Sequence, residues 1–444
     1  MNTDRIRLMR EENVSKALFK LGMPMVISML VTALYNVVDT YFVSGLGKEA
    51  VAAVSVAFSI SLIFSGIGLT FGAGAGSCIS RLLGKQEQDM ANRTASTAMF
   101  SSVLVSVLTG TVMLLFLPSV LKFLGAIPSI FPLAREYAVL FIISTILSAT
   151  NVTAGNLAVA QGSSNISLTA MISGSILNVI LDPICITSLG MGVRGAALAT
   201  LISQFVTALI YVYFFTGKKS YIKISFSYFR PSLKIYSEIL KIGVSMLLLQ
   251  LLSSFSMSRI LVAAGAYGED AIAAMGITLR IVTLGTNVVF GYMKGFQPMA
   301  GFNYGAGNFL RLWQSIRSCI KWTTLFCIVW TIFIFFLSQP ILSFFSNDPA
   351  VLKIAVPALR ANTVMFFTFG FQFTVSTLYL AVGRALEGGF LNICRQGILF
   401  MPLILILPGL LGLNGVLYAQ AAADALTTLV TILFTIPIRR SLRG

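Results

Sequence analysis

Residues 217–241 read GKKSYIKISFSYFRPSLKIYSEILK, the longest polar connection in a chain that is otherwise almost continuously apolar. Outward from it on each side lie six apolar stretches, each close to the roughly 20 residues that a helix needs to cross the hydrocarbon of a bilayer. The first six cover 18–44, 50–79, 95–117, 132–159, 165–188 and 195–216; the second six cover 238–264, 271–301, 316–338, 352–380, 388–411 and 415–437. Of the 444 residues, 57% are hydrophobic and 10% charged, against about 25% charged in a typical soluble domain. A water-soluble protein is thereby excluded, and so is a single anchor carrying a soluble head. Because backbone in lipid must satisfy its own hydrogen bonds, the sequence predicts an all-α membrane protein with twelve transmembrane helices.

The two sets of six read as copies. A shift of 221 places Gly22 on Gly243, Met25 on Met246, Gly47 on Gly268, Ala50 on Ala271, Gly74 on Gly295 and Gly84 on Gly305. A shift of 220 aligns Gly192 with Gly412, Gly195 with Gly415 and Ala199 with Ala419. A unit with an even number of spans inserts the same way up each time. Two six-helix bundles related by a pseudo-twofold axis along the membrane normal, flanking a central cavity, are therefore expected. The boundaries are 1–216 for a first lobe of helices 1–6, 217–237 for a cytoplasmic linker and 238–444 for a second lobe of helices 7–12.

The formal net charge of +16 has the sign expected of a nucleic-acid binder, but its distribution follows topology. The end that carries both termini gathers Arg81, Lys85, Arg93, the basic connection from Lys218 to Lys241, and Arg439, Arg440 and Arg443; Lys48, Lys122, Arg135, Arg194, Lys353 and Arg360 fall on the other. The positive-inside rule puts both termini in the cytoplasm of a multi-pass protein of the cell (inner) membrane, and no nucleic-acid partner is expected. The chain has no histidine, so imidazole bases and imidazole metal ligands are excluded. Cys78, Cys185, Cys319, Cys327 and Cys394 lie in or beside apolar runs without metal or disulfide spacing and read as small buried hydrophobes. The charged first 20 residues are not followed by a short apolar core with a cleavage site, so no cleaved signal peptide is expected.

An ionisable group at membrane depth costs about 2.5 kcal/mol or more, which makes the charges inside spans informative. They read as Asp39, Asp182, Arg259, Arg280, Lys294 and Asp424. At 1.5 Å per residue, Asp39 lies about 9 Å, and Asp182 about 12 Å, below the outer ends of their helices. Thr200 matches the depth of Asp182 on the next helix, and Asn178, four residues before Asp182, shares its face. Two carboxylates, a carboxamide and a hydroxyl are the oxygen ligands that Na⁺ would take. They suit a proton equally, since low dielectric and a neighbouring carboxylate both favour the neutral acid. The alternative is that the acids only tie helices together. In the second half Ile260 and Pro402 stand opposite Asp39 and Asp182, so the acidic site is expected in one bundle alone.

Other features carry two readings each. Arg280 and Asp424 form an ion pair or part of a substrate surface; Arg259 and Lys294 can snorkel toward an interface. Pro24 bends helix 1 or is simply tolerated near its start. Gly66, Gly68, Gly72, Gly74 and Gly76 lie in an apolar span with no Lys-Ser/Thr after them, so they read as close helix packing and not as a phosphate loop. The 34 Phe and 17 Met supply adaptable apolar lining for an internal cavity.

Tyr35-Asn36-Val37-Val38-Asp39, Ser80-Arg81-Leu82-Leu83-Gly84, Leu177-Asn178-Val179-Ile180-Leu181-Asp182-Pro183, Gly192-Val193-Arg194-Gly195-Ala196-Ala197-Leu198-Ala199-Thr200 and Gly276-Ile277-Thr278-Leu279-Arg280 closely resemble the multidrug and toxic compound extrusion (MATE) transporters. The resemblance covers essentially the whole chain and is strongest to the MepA-like bacterial branch. It implies secondary active efflux of amphipathic, often cationic compounds by H⁺ or Na⁺ antiport, with alternating access between two lobes. It also implies a cation-coupling site at Asp39, Asp182, Asn178 and Thr200, which would ligate Na⁺ if Na⁺ is the ion, and a helix-1 bend at Pro24. Tyr35 and Tyr137 match aromatics beside that site; Arg280 and Asp424 are further candidates for substrate contact. No cofactor beyond the coupling ion is implied, and a monomer in the bilayer is expected.

The nearest rival is a lipid-linked oligosaccharide or polysaccharide flippase of the same superfamily. Its cavity would need several Arg and Lys, whereas the first-half spans hold acids and almost no bases. An intramembrane enzyme would have only a Ser-Lys dyad around Lys294 to use, and no motif supports one.

Overall fold

The computed structural model describes residues 2–217 and 219–441, so Lys218 and Arg443 lie outside the described residues. The described residues hold twelve helices long and apolar enough to span a bilayer: α1 Val14–Ser44, α2 Lys48–Gly84, α3 Gln88–Leu115, α4 Phe131–Ala160, α5 Ser164–Ser188, α6 Gly192–Thr216, α7 Leu233–Gly265, α8 Glu269–Gly305, α9 Phe309–Ser343, α10 Pro349–Ala381, α11 Ala385–Leu411 and α12 Leu413–Arg440. A short helix, Asn2–Arg10, precedes α1, and another, Leu117–Phe123, follows α3. The described residues contain no strand.

Several helices outrun the apolar stretches that announce them, because caps and not hydropathy end a helix. α2 continues through Arg81 to Gly84. α7 begins at Leu233, inside the segment read as linker, where the Ser232 hydroxyl accepts the Ile235 N–H at 3.3 Å. The connection before it is strapped to the first half. The Gln161 amide oxygen accepts the Tyr221 and Ile222 N–H groups at 2.7 and 3.2 Å, Asn92 accepts the Lys223 N–H at 2.9 Å, and Phe226 stacks on Phe100 at 4.2 Å.

Three spans are interrupted. α5 loosens into a π turn at Ile184–Ser188 directly after Pro183, whose missing N–H removes a rung of the ladder. α11 has a π segment at Cys394–Leu399, and α10 breaks after Thr363 into a 3-10 turn at Phe366–Thr368.

Of the four glycine pairs that hold the 221-residue register, three mark places where the halves cross, while Gly47 and Gly268 stand with positive φ before α2 and α8 and meet nothing. A Cβ on Gly295 would collide with the backbone of Gly22, bringing α8 against α1. Its repeat partner behaves alike: a Cβ on Gly74 would collide with the Ile239 backbone and one on Gly243 with the Thr70 carbonyl, which brings α2 against α7. Gly84 and Gly305 likewise meet the backbones of Phe302 and Arg81, where the ends of α2 and α8 cross. Small residues permit such approach in lipid, where association depends on packing.

These crossings cluster at the end that carries the termini. There one core joins both halves, with Leu18, Leu21, Ile79 and Leu83 packed among Ile239, Phe296, Met299 and Phe302. At the opposite end each half keeps its own core, around Ala53, Ile60 and Ala197 in the first and around Ile260, Ala271 and Ala419 in the second. The molecule is joined at the termini end and parted at the other. Polar ties reinforce the joined end. Arg81, on α2, is buried and pairs with Glu238 on α7 at 2.8 Å while donating to Ser77 and to the Ala381 carbonyl. Arg311, on α9, donates to the Met9 carbonyl at 2.9 Å.

Candidate coupling and substrate site

α5 and α6 bring Asn178, Asp182 and Thr200 together. Asp182 is fully buried, at 0% exposure, and its Oδ1 has no hydrogen-bond partner. With its NH₂ turned to the acid, Asn178 donates to Asp182 Oδ2 at 3.1 Å and accepts the Thr200 N–H at 3.3 Å. The Thr200 hydroxyl donates to the Ala196 carbonyl at 3.0 Å, and the Tyr35 hydroxyl of α1 reaches the Thr200 side chain. Asp39, half-buried on α1, stands close enough for its charge to act on Asp182, Tyr35 and Tyr137. Tyr137 is buried and its ring packs on Phe141 at 4.8 Å. This oxygen set has two acids plus neutral donors, and an unpartnered buried carboxylate oxygen among them fits a proton or a monovalent hard cation. Among the described residues there is no group of three acids, cysteines or histidines that would hold a divalent metal.

Inward from the acids runs a cavity of about 300 Å³ that the sequence did not announce as a unit. α4 contributes Ser148 and Asn151, α5 Ser175 and Asn178, and α6 Thr200 and Gln204. Asn151 donates to both the Gln204 carbonyl and its side-chain oxygen, each at 2.9 Å. Asn151 Oδ1 and Ser203 Oγ are buried without partners. The available signal was the run of Ser, Thr and Asn through 144–156, unusually polar for an apolar stretch. Pro24 is buried in α1, which is helical on both sides of it; the Ser28 hydroxyl donates to the Pro24 carbonyl at 2.9 Å.

The second-half candidates need correction. Asp424 does not pair with Arg280, which is exposed; its partner is Arg395, bound through Nε to Oδ1 at 2.8 Å and through Nη2 to Oδ2 at 3.2 Å. Arg395 was absent from the sequence-derived set of intramembrane charges. It sits in the π segment of α11, its guanidinium 4.6 Å from the Phe369 ring centre. Gln420 donates to Asp424 Oδ1 at 2.9 Å, and Gln372 donates to the Asp424 carbonyl at 2.9 Å. Lys294 also departs from expectation. It does not snorkel to an interface but lines the first-half cavity from α8, because the α1–α8 glycine crossing presses that face of α8 against the first half.

A family model described as MatE matches residues 24–184 and again 242–406, once in each half. The chain belongs to the MatE family. It is 27% identical over 440 residues to the multidrug export protein MepA of Staphylococcus aureus (strain MRSA252), covering 99% of this chain and 97% of that one. It superposes on a multidrug resistance MATE family transporter of the MOP superfamily in an outward-facing conformation with a TM-score of 0.92, at 29% identity and 98% coverage of each chain. A MATE solved in a straight conformation matches with a TM-score of 0.93 at 28% identity, covering 99% of this chain and 98% of that chain. This MATE transporter is therefore a multi-pass membrane protein and not an enzyme, which removes the Ser-Lys reading of Lys294.

Proposed function

We propose that this MATE protein exports amphipathic, often cationic compounds by exchange for H⁺ or Na⁺, its two lobes rocking to expose a central site alternately to the two sides of the cell membrane. The positive-inside pattern puts the termini, and so the joined end, in the cytoplasm; the conformation described is then open outward. The observation that carries the coupling is Asp182, wholly buried with one carboxylate oxygen unpartnered, beside Asn178 and Thr200 and within reach of the Asp39 charge. An intramembrane acid is costly unless something joins it, and a small cation arriving from outside removes that cost. Occupancy by the cation opposes retention of cationic cargo in the adjoining cavity. One charge moving through 100 mV supplies about 2.3 kcal/mol, close to fifty-fold accumulation. Bending of α1 at Pro24, the proline two residues after Gly22 on the α8-facing stretch, would transmit occupancy to the lobe contact. In proteoliposomes carrying imposed Na⁺ and pH gradients separately, Asp182→Asn is expected to abolish gradient-driven uptake of a fluorescent cation with assembly intact. Full transport by that variant would refute the assignment.

A further inference from the structure

Lys294 is the only charged side chain among the described residues that line the first-half cavity, and it comes from the other half of the molecule. No hydrogen bond or ion pair reaches its ammonium among the described residues. Its backbone is also exceptional: Pro298, one turn on, has no N–H to give the Lys294 carbonyl. A cation held at membrane depth without a counter-charge is costly, and Asn156, Ser167 and Tyr211, which line the same cavity, are neutral.

Its position in the cavity follows from the helix crossing. Gly295 meets Gly22 and Gly291 meets Val26, so Lys294 lies at the level of Gly22 to Val26 on α1. Asp39 lies 13 residues beyond Val26, about 20 Å further along α1. The cavity therefore has a cation at one end and, at the other, Asn178 and Thr200, beyond which the buried Asp182 is held by Asn178.

We propose that Lys294 is an anion-recognition residue that seats an acidic group of a zwitterionic cargo, whose cationic group is directed toward Asn178 and Thr200 at the end of the cavity nearest Asp182. This rests on the transport reading above and narrows its substrate class. A carboxylate gives the ammonium a charge-assisted partner, and a hydrogen bond of that kind contributes about 1.5–3 kcal/mol.

The test uses a rhodamine bearing a free carboxylic acid and its methyl ester, which differ only in the anion, with the full-length protein in proteoliposomes under an imposed gradient. For the wild type the acid is expected to be exported. In Lys294→Met the acid-to-ester ratio of transport is expected to fall about ten- to hundredfold, and in Lys294→Arg to be largely retained. An unchanged ratio in Lys294→Met, or export of the ester but not the acid by the wild type, overturns the inference while leaving the transport function standing. Export of neither dye, or of any other cation, overturns the transport reading itself. Replacing chloride by gluconate forms a further arm: if chloride alone restores Lys294-dependent behaviour, the anion is inorganic and the zwitterion assignment fails.

Discussion

The same positions, about 220 residues apart, do opposite things in the two halves. In the first, Ser148, Asn151, Val152, Ser175, Thr200 and Gln204 line an open cavity. The register sets Phe369, Gln372 and Phe373 opposite Ser148, Asn151 and Val152, and Arg395, Gln420 and Asp424 opposite Ser175, Thr200 and Gln204. There the counterparts close on one another, with Arg395 forked onto Asp424 and laid over Phe369. The backbone tie is kept, since Asn151 bonds Gln204 as Gln372 bonds Asp424; what changed is the filling. A duplicated bundle thus keeps its scaffold while one copy holds a polar cavity and the other a packed ion pair.

Breaking the packed side has the largest expected effect on stability. Asp424→Asn leaves the nearly buried Arg395 without its carboxylate, an expected loss of about 3–5 kcal/mol, whereas replacing the pair together, Arg395→Met with Asp424→Leu, is expected to be far milder. Thermal unfolding of the purified variants, followed by tryptophan fluorescence, separates the two; equal losses would mean that the pair is not the plug it resembles.

Making the open side like the closed one is the converse. Ser148→Phe gives the first half the ring that Phe369 supplies to the second, and is expected to suppress export strongly while changing stability by about 1–3 kcal/mol at most. Efflux and melting temperature measured on one preparation decide it, and normal export would show that the cavity is not on the transport route.

A smaller effect belongs to the joined end. Arg81→Met removes the pair with half-exposed Glu238, an expected cost of about 1–2 kcal/mol to the closed contact once solvent screening is allowed for. Labelling of a cysteine placed near Glu238 should quicken, and unchanged labelling would assign closure to the glycine crossings alone.

The smallest is a pH effect outside the membrane. The Lys16 side chain, hydrogen-bonded to Glu12, holds that exposed carboxyl below its ordinary range, with Lys20 assisting. A depressed acid contributes stability above its unfolded-state value and loses it as pH falls through the folded one. Mild acid is therefore expected to loosen the first turns of α1 slightly, and Lys16→Ala to reduce the response in hydrogen exchange.

Twelve spans and the repeat were legible because hydropathy and glycine spacing act locally along the chain. The proximity of Asn178, Asp182 and Thr200 was legible because helical rise fixes depth. What escaped was what depends on crossing partners. Lys294 and Arg395 read alike in sequence, as long basic side chains in apolar runs, yet one faces a cavity of the opposite half and the other forks onto an acid of the next helix. The π segment that carries Arg395 has no proline directly before it, in contrast to the π turn that Pro183 introduces.

The most direct measurement is ion displacement by cargo. A cationic substrate is added to purified protein in weakly buffered detergent solution, and the liberated cation is followed with pH and Na⁺ electrodes. The wild type is expected to release H⁺ or Na⁺ in step with binding, and Asp182→Asn to bind without release. Equal release from both proteins would contradict a coupling site at Asp182.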